Sequence, residues 1–163
     1  MDWKEIMEKA LQEAAWPSVQ QLKSAIETLN LSVEKVAGAI ANPGSLPYGR
    51  TSLYRTPETE AVLIHLPQGR ETYIHDHGYS IGCAKVLEGT IANRIYRLDA
   101  YGYPVYAGET IIEPGGFYSS PKGQIHQLRN VGYGRAVSFH LYAPALSGVK
   151  NYYPYEQVLD FVI

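Results

Sequence analysis

The chain carries five histidines, at positions 65, 75, 77, 126 and 140. His75 and His77 stand two residues apart in a stretch that reads as a β-strand, so both rings point to one face. Neutral imidazole is the commonest side-chain ligand of transition metals, and two on one strand face are a natural part of such a site. Two polar histidines that bind nothing would have the same spacing, so the pair alone leaves both readings open. A second alternating set, Ser138, His140 and Tyr142, also shares a strand face. Hydrogen-bonded to one another, these three would fix a phenol in place; away from a metal they would equally be a polar face turned to solvent. Arg50 offers a planar guanidinium fork suited to a carboxylate, with Arg55 as a nearby rival.

Such groups need a framework that brings separate segments together. From residue 48 onward, short runs rich in β-branched and aromatic residues alternate with Gly, Pro and Asn. These runs are 60–66, 71–75, 80–87, 90–96, 110–113, 124–128 and 135–142. Evenly spaced short strands with turn residues between them predict an all-β sandwich or barrel. The stretch 99–104 reads as a hairpin tip. The first forty residues read as helices. Asp2 and Glu5 have capping-box spacing, and that segment runs to a break at Trp16-Pro17. Ser18 and Gln21 repeat the signal ahead of an apolar face of Val19, Leu22, Ile26 and Leu29. A third short helix over 32–40 stops at Asn42-Pro43-Gly44. None of these helices carries a chemical constellation, so their expected role is packing. The expected organisation is one domain over 1–163: helices to 43, a β-barrel over 46–145, and a tail from 146 packed back on the barrel.

Two runs of turn residues connect the histidines. Gly69 is followed by five residues and then His75-Asp76-His77, with six residues between Gly82 and Gly89 closing the stretch. The second run reads Gly115, Pro121, Gly123, His126 and Asn130. Together they resemble the two signature motifs of the cupin superfamily, in which strands of a jelly-roll barrel aim imidazoles at one internal point. The resemblance implies a mainly β, cupin jelly-roll barrel with a short N-terminal helical region, and a metal on His75, His77 and His126. One departure stands out. Gly82 takes the place of the superfamily's usual glutamate ligand, leaving three neutral imidazoles and no carboxylate. A divalent ion there would keep its full charge, which suits an anionic, chelating substrate such as a thiolate beside an amine. The ion would also lower the pKa of a coordinated thiol.

Over roughly 48–144 the chain resembles the thiol dioxygenases, the cysteine dioxygenases in particular. The likeness rests on His75-Asp76-His77-Gly78 followed by Ser80, on Val86-Leu87-Glu88-Gly89, on Ser138-Phe139-His140-Leu141-Tyr142 and on Tyr48-Gly49-Arg50. It implies an Fe(II) enzyme that converts L-cysteine and O2 to cysteine sulfinate. Arg50, with Tyr48, would bind the substrate carboxylate. Tyr142 would hydrogen-bond the bound substrate or oxygen, backed by His140 and Ser138. Related enzymes acting on 3-mercaptopropionate tend to have glutamine where Arg50 stands, so arginine favours cysteine; cysteamine lacks a carboxylate for it to hold. A non-catalytic metal-binding cupin, and zinc in place of iron, stay open as alternatives. Animal cysteine dioxygenases carry a tyrosine-crosslinked cysteine at the position of Gly82. Cys83 is one residue later, which sends it to the other strand face and predicts no thioether to Tyr142. His65 matches no ligand position and reads as structural.

Bulk composition is ordinary for a soluble globular protein. The 163 residues are 45% hydrophobic and 18% charged, with a net charge of -2. That balance supports neither a nucleic-acid nor a membrane partner, because both favour a basic surface. No apolar run has signal-peptide or membrane-spanning character, and a lone cysteine excludes an intrachain disulfide. The expected partners are a small thiol and O2, the expected setting is the cytoplasm, and the expected state is a monomer or weak dimer.

Overall fold

The computed structural model describes residues 2–11 and 16–159. Helix α1 (Trp3–Ala10) starts where Asp2 accepts the backbone N–H groups of Lys4 and Glu5. Its expected continuation to Trp16-Pro17 falls partly on 12–15, outside the described residues. Helix α2 (Val19–Leu29) opens with a reciprocal capping box between Ser18 and Gln21. The third helix is shorter than its sequence suggests: α3 (Val33–Val36) gives way to a 3-10 turn at Ala37–Ala39. Gly38 inside that turn weakens helix propagation.

Among the described residues ten strands follow: β1 (Gly49–Arg55), β2 (Glu60–Leu66), β3 (Ile74–His75), β4 (Ile81–Glu88), β5 (Ile91–Leu98), β6 (Pro104–Ile112), β7 (Phe117–Ser120), β8 (Ile125–Asn130), β9 (Ala136–Ala143) and β10 (Asn151–Tyr152), then the short α4 (Tyr155–Leu159). They form two antiparallel five-stranded sheets, ordered β1-β2-β9-β4-β7 and β10-β3-β8-β5-β6. This is the expected mainly β cupin barrel. The hairpin tip at 99–103 is held by the Asp99 carboxylate, which accepts from the Tyr101 and Tyr103 backbone. Among the described residues, no helix is long and apolar enough to cross a membrane.

Several strands differ from the sequence pattern. β1, β7 and β10 are not legible as apolar runs, because Thr51-Ser52 and Asn151 have no core pattern until a neighbour pairs with them. β6 begins six residues earlier than expected, since pairing with β5 carries it through Ala107-Gly108-Glu109. β3 is shorter than expected: Glu71 makes only an isolated bridge to Arg129, and His77 lies past the strand's end.

Alternation on β2 and β9 explains how one sheet serves two cores. Ala61, Leu63, Val137, Phe139 and Leu141 face the helices, packing with Met7, Leu22 and Ile26. Val62, Ile64, Leu66 and Ala136 face the barrel interior with Val86, Ile91 and Leu128. The helices therefore cover the outside of the first sheet and free its inner face for polar groups. The motif glycine Gly89 has a concrete task. Its φ is +77°, and a Cβ there would lie 2.5 Å from the Arg135 carbonyl oxygen, so only glycine lets the β4–β5 turn pass so close to the start of β9.

Candidate metal centre

The second sheet gathers three histidines. His75 on β3 pairs directly with His126 on β8, and His77 follows just beyond β3. The ring centroids of the three lie 4.7–5.0 Å apart, and their candidate ligand atoms all fall within 4.8 Å of one another. The Nε2 atoms of His77 and His126 are 3.2 Å apart. Two ligands about 2.1 Å from one ion, at roughly a right angle, stand about 3 Å apart, so this spacing fits a shared ion.

The outer nitrogens fix the rings. Nδ1–H of His126 donates to Asn93 Oδ1 at 2.8 Å, and Nδ1–H of His75 donates to the Tyr73 carbonyl at 2.7 Å. Each bond places the proton on Nδ1 and leaves the Nε2 lone pair for a metal. His77 Nδ1 is buried without a partner among the described residues. Burial pushes the pKa values of His75 and His126 down, and burial together with the nearby His75 lowers His77 to about 3. All three are therefore neutral at physiological pH, as ligands must be. Among the described residues, no carboxylate joins them. Asp76 turns away and accepts from the backbone of Gly78 and Lys150 and from the Tyr152 hydroxyl, while Glu88 accepts from Arg135. The three-histidine group fits a metal site with open positions.

The first sheet supplies the facing wall. Ser138, His140 and Tyr142 on β9 are buried, so they are not a solvent face. Ser138 Oγ lies 2.7 Å from His140 Nε2, and His140 Nδ1 lies 3.1 Å from the Tyr142 hydroxyl. Burial, ahead of the neighbouring His77 and His75, lowers the His140 pKa to about 3, and burial raises that of Tyr142. The imidazole thus stays neutral and the phenol protonated. The Tyr142 ring lies tilted against that of His77, with centroids 5.0 Å apart. A cavity of about 310 Å³ opens between the sheets, lined by Tyr48, Arg50, Arg55, His75, His77 and Tyr142 among others.

A family model for cysteine dioxygenase type I matches residues 47–154, most of the chain. The chain belongs to that family. Among solved structures, a Klebsiella pneumoniae protein with a double-stranded β-helix domain superposes with a TM-score of 0.58 at 19% identity, covering 72% of this chain and 94% of its own. A recombinant oxalate oxidase bound to glycolate gives 0.57 at 16%, covering 69% and 59%. The cupin domain of Schizosaccharomyces pombe Cnp3 gives 0.51 at 18%, covering 63% and 71%. At such identities these likenesses speak to the fold alone.

Within this cysteine dioxygenase family member, Gly82 sits opposite Tyr142 across β4 and β9. A Cβ at Gly82 would lie 2.8 Å from Cδ1 and Cε1 of the Tyr142 ring, so glycine lets the phenol lie flat against the strand. Cys83 points the other way, into the helix-side core with Leu22 and Phe139, and burial raises its thiol to about 11. Cys83→Ala is therefore expected to keep most activity, and intact mass should match the unmodified sequence. A two-hydrogen deficit mapped to Cys83 and Tyr142 would contradict this.

Three residues escaped the sequence reading. Asn93 orients His126, Tyr118 brings its hydroxyl to 3.4 Å from His140 Nδ1, and Glu60 bonds both Arg50 and Arg55. Strand parity held a usable signal for two of them. Asn93 alternates with Ile91, and Glu60 with Val62 and Ile64, so each is a polar residue on an inward face. His65 donates to the Ala41 carbonyl at 2.8 Å on the helix side.

Proposed function

We propose that this protein is an Fe(II)-dependent thiol dioxygenase that converts L-cysteine and O2 to cysteine sulfinate in the cytoplasm. The observation that carries the proposal is the facing arrangement: three imidazoles converge with no carboxylate among the described residues, His75 and His77 line one wall of the cavity, and arginine and a buried phenol line the other. His75, His77 and His126 would hold the iron. When bound, the metal supplies the redox chemistry that brings thiolate and O2 together. The reaction balances without a reductant, because sulfur gives up four electrons and O2 takes four, with both oxygen atoms ending on sulfur.

The chain's own residues bind and orient. Arg50, with Tyr48 beside it, would receive the substrate carboxylate. Among the described residues its guanidinium makes one bond, to Glu60, whereas Arg55 is committed to Glu60 and to the Leu146 carbonyl. Arg50 therefore keeps more donors for a ligand, which favours it over Arg55. With Ser138 donating to Nε2 of His140, the imidazole proton sits on Nδ1 and donates to the Tyr142 oxygen. The phenol proton is then available to the bound substrate or oxygen at a fixed position. Holding the carboxylate, the thiol and the phenol at once is the protein's contribution to rate.

The test is metal content of the purified protein together with O2 uptake on cysteine, 3-mercaptopropionate and cysteamine. Iron, a sulfinate product carrying both atoms of labelled O2, and a preference for cysteine are expected. Preference for 3-mercaptopropionate would keep the chemistry and change the substrate. Zinc, with no thiol-dependent O2 uptake after iron loading, would sink the proposal.

A further inference from the structure

The cavity contains a buried carboxylate whose neighbours suggest a task. Glu60 opens β2 with its side chain 2% exposed, while Arg50 and Arg55 beside it are 40% and 51% exposed. Its Oε1 accepts from Arg50 Nη2 at 2.7 Å, and its Oε2 accepts from Arg55 Nη1 and from the Leu146 backbone N–H at 3.2 Å. One carboxylate thus bridges two guanidinium groups, and all three residues line the same cavity as His75, His77 and Tyr142.

We infer that Glu60 is a specificity-determining residue that restricts the site to thiols carrying a single carboxylate. The inference rests on the role proposed above for Arg50. Two arginines and one glutamate leave one net positive charge, which a single substrate carboxylate neutralises. The bridging carboxylate already fills the gap between the guanidinium groups, where a second substrate carboxylate would bind. It also repels any further anion brought into a partly dehydrated cavity. Glu60 selects by exclusion, and Arg50 selects by attraction.

The experiment compares cysteine with mercaptosuccinate, a thiol bearing two carboxylates, on the iron-loaded wild type and on Glu60→Gln. Glutamine keeps the size and one acceptor but removes the charge. The mercaptosuccinate-to-cysteine ratio of kcat/KM is expected to rise by on the order of ten-fold, mainly through KM. A merely structural Glu60 would lower both substrates together, and an unchanged ratio overturns the inference. Calorimetric binding of succinate and propionate reads the same selection without turnover: Glu60→Gln should raise the succinate-to-propionate affinity ratio, and a constant ratio again overturns it. A wild type inactive on every thiol would sink the dioxygenase proposal but leave that binding ratio to decide Glu60. Should Glu60→Gln not fold, Arg55→Gln probes the charge balance from the other side. It takes the net charge to zero and should weaken propionate binding by on the order of ten-fold; unchanged binding would overturn the inference.

Discussion

His126→Ala is expected to yield a folded protein that retains no stoichiometric iron and shows no thiol-dependent O2 uptake. His126 sits at the middle of the centre: it pairs with His75 across β3 and β8, and its Nε2 is 3.2 Å from that of His77. Removing it leaves two imidazoles, which cannot hold a labile divalent ion against dialysis. The loss should exceed that of Asn93→Ala, which spares the ligand but removes the acceptor for His126 Nδ1–H. Loss of such an outer partner typically costs about 10–100-fold in metal affinity or activity, and that range is the expectation for Asn93→Ala. Metal analysis after dialysis, and the rise in melting temperature on adding Fe(II) anaerobically, measure both variants. Full iron occupancy in His126→Ala would remove the three-histidine group as the metal site. Asn93→Ala with wild-type affinity would show that packing alone holds the ring.

The next largest effect is expected at Arg50. A charge-assisted bond to a desolvated carboxylate is worth roughly 1.5–3 kcal/mol, or about ten- to a hundred-fold in binding. Arg50→Ala should raise the KM for cysteine toward the upper end of that range, because Glu60 remains. With one of its two arginines gone, the buried Glu60 carboxylate keeps only Arg55 and lies less neutralised beside the incoming anion. Any turnover of cysteamine, which has no carboxylate, should change little. Arg50→Gln is the sharper variant, since an amide can hold one carboxylate oxygen without charge; it should shift preference toward 3-mercaptopropionate. If neither variant moves KM or the ranking, Arg55 becomes the first candidate for the substrate carboxylate. If Arg55 variants are silent too, cysteine loses its best support, and only a broader thiol dioxygenase stands.

Much of this site could be read before any tertiary structure, and the physical reason is parity. A strand sends residues two apart to one face whatever its neighbours do, so the shared face of Ser138, His140 and Tyr142, and the opposite direction of Cys83, follow from position alone. Turn chemistry is equally local: Gly89 sits where φ must be positive, and its spacing from the histidines survives in the chain as a motif. What pairs with what is not local. The direct His75–His126 register, the docking of β10 beside β3, and the His126–Asn93 bond depend on strands far apart in sequence meeting in one sheet. The end of β3 ahead of His77 was likewise set by pairing, not by propensity. Most of all, sequence alone presented Arg50 and Arg55 as rivals for one role, because nothing local links them to Glu60. Only the β1–β2 register, with Arg55 opposite Glu60 and Arg50 opposite Ile64, brings both guanidinium groups to one buried carboxylate and decides the charge of the cavity.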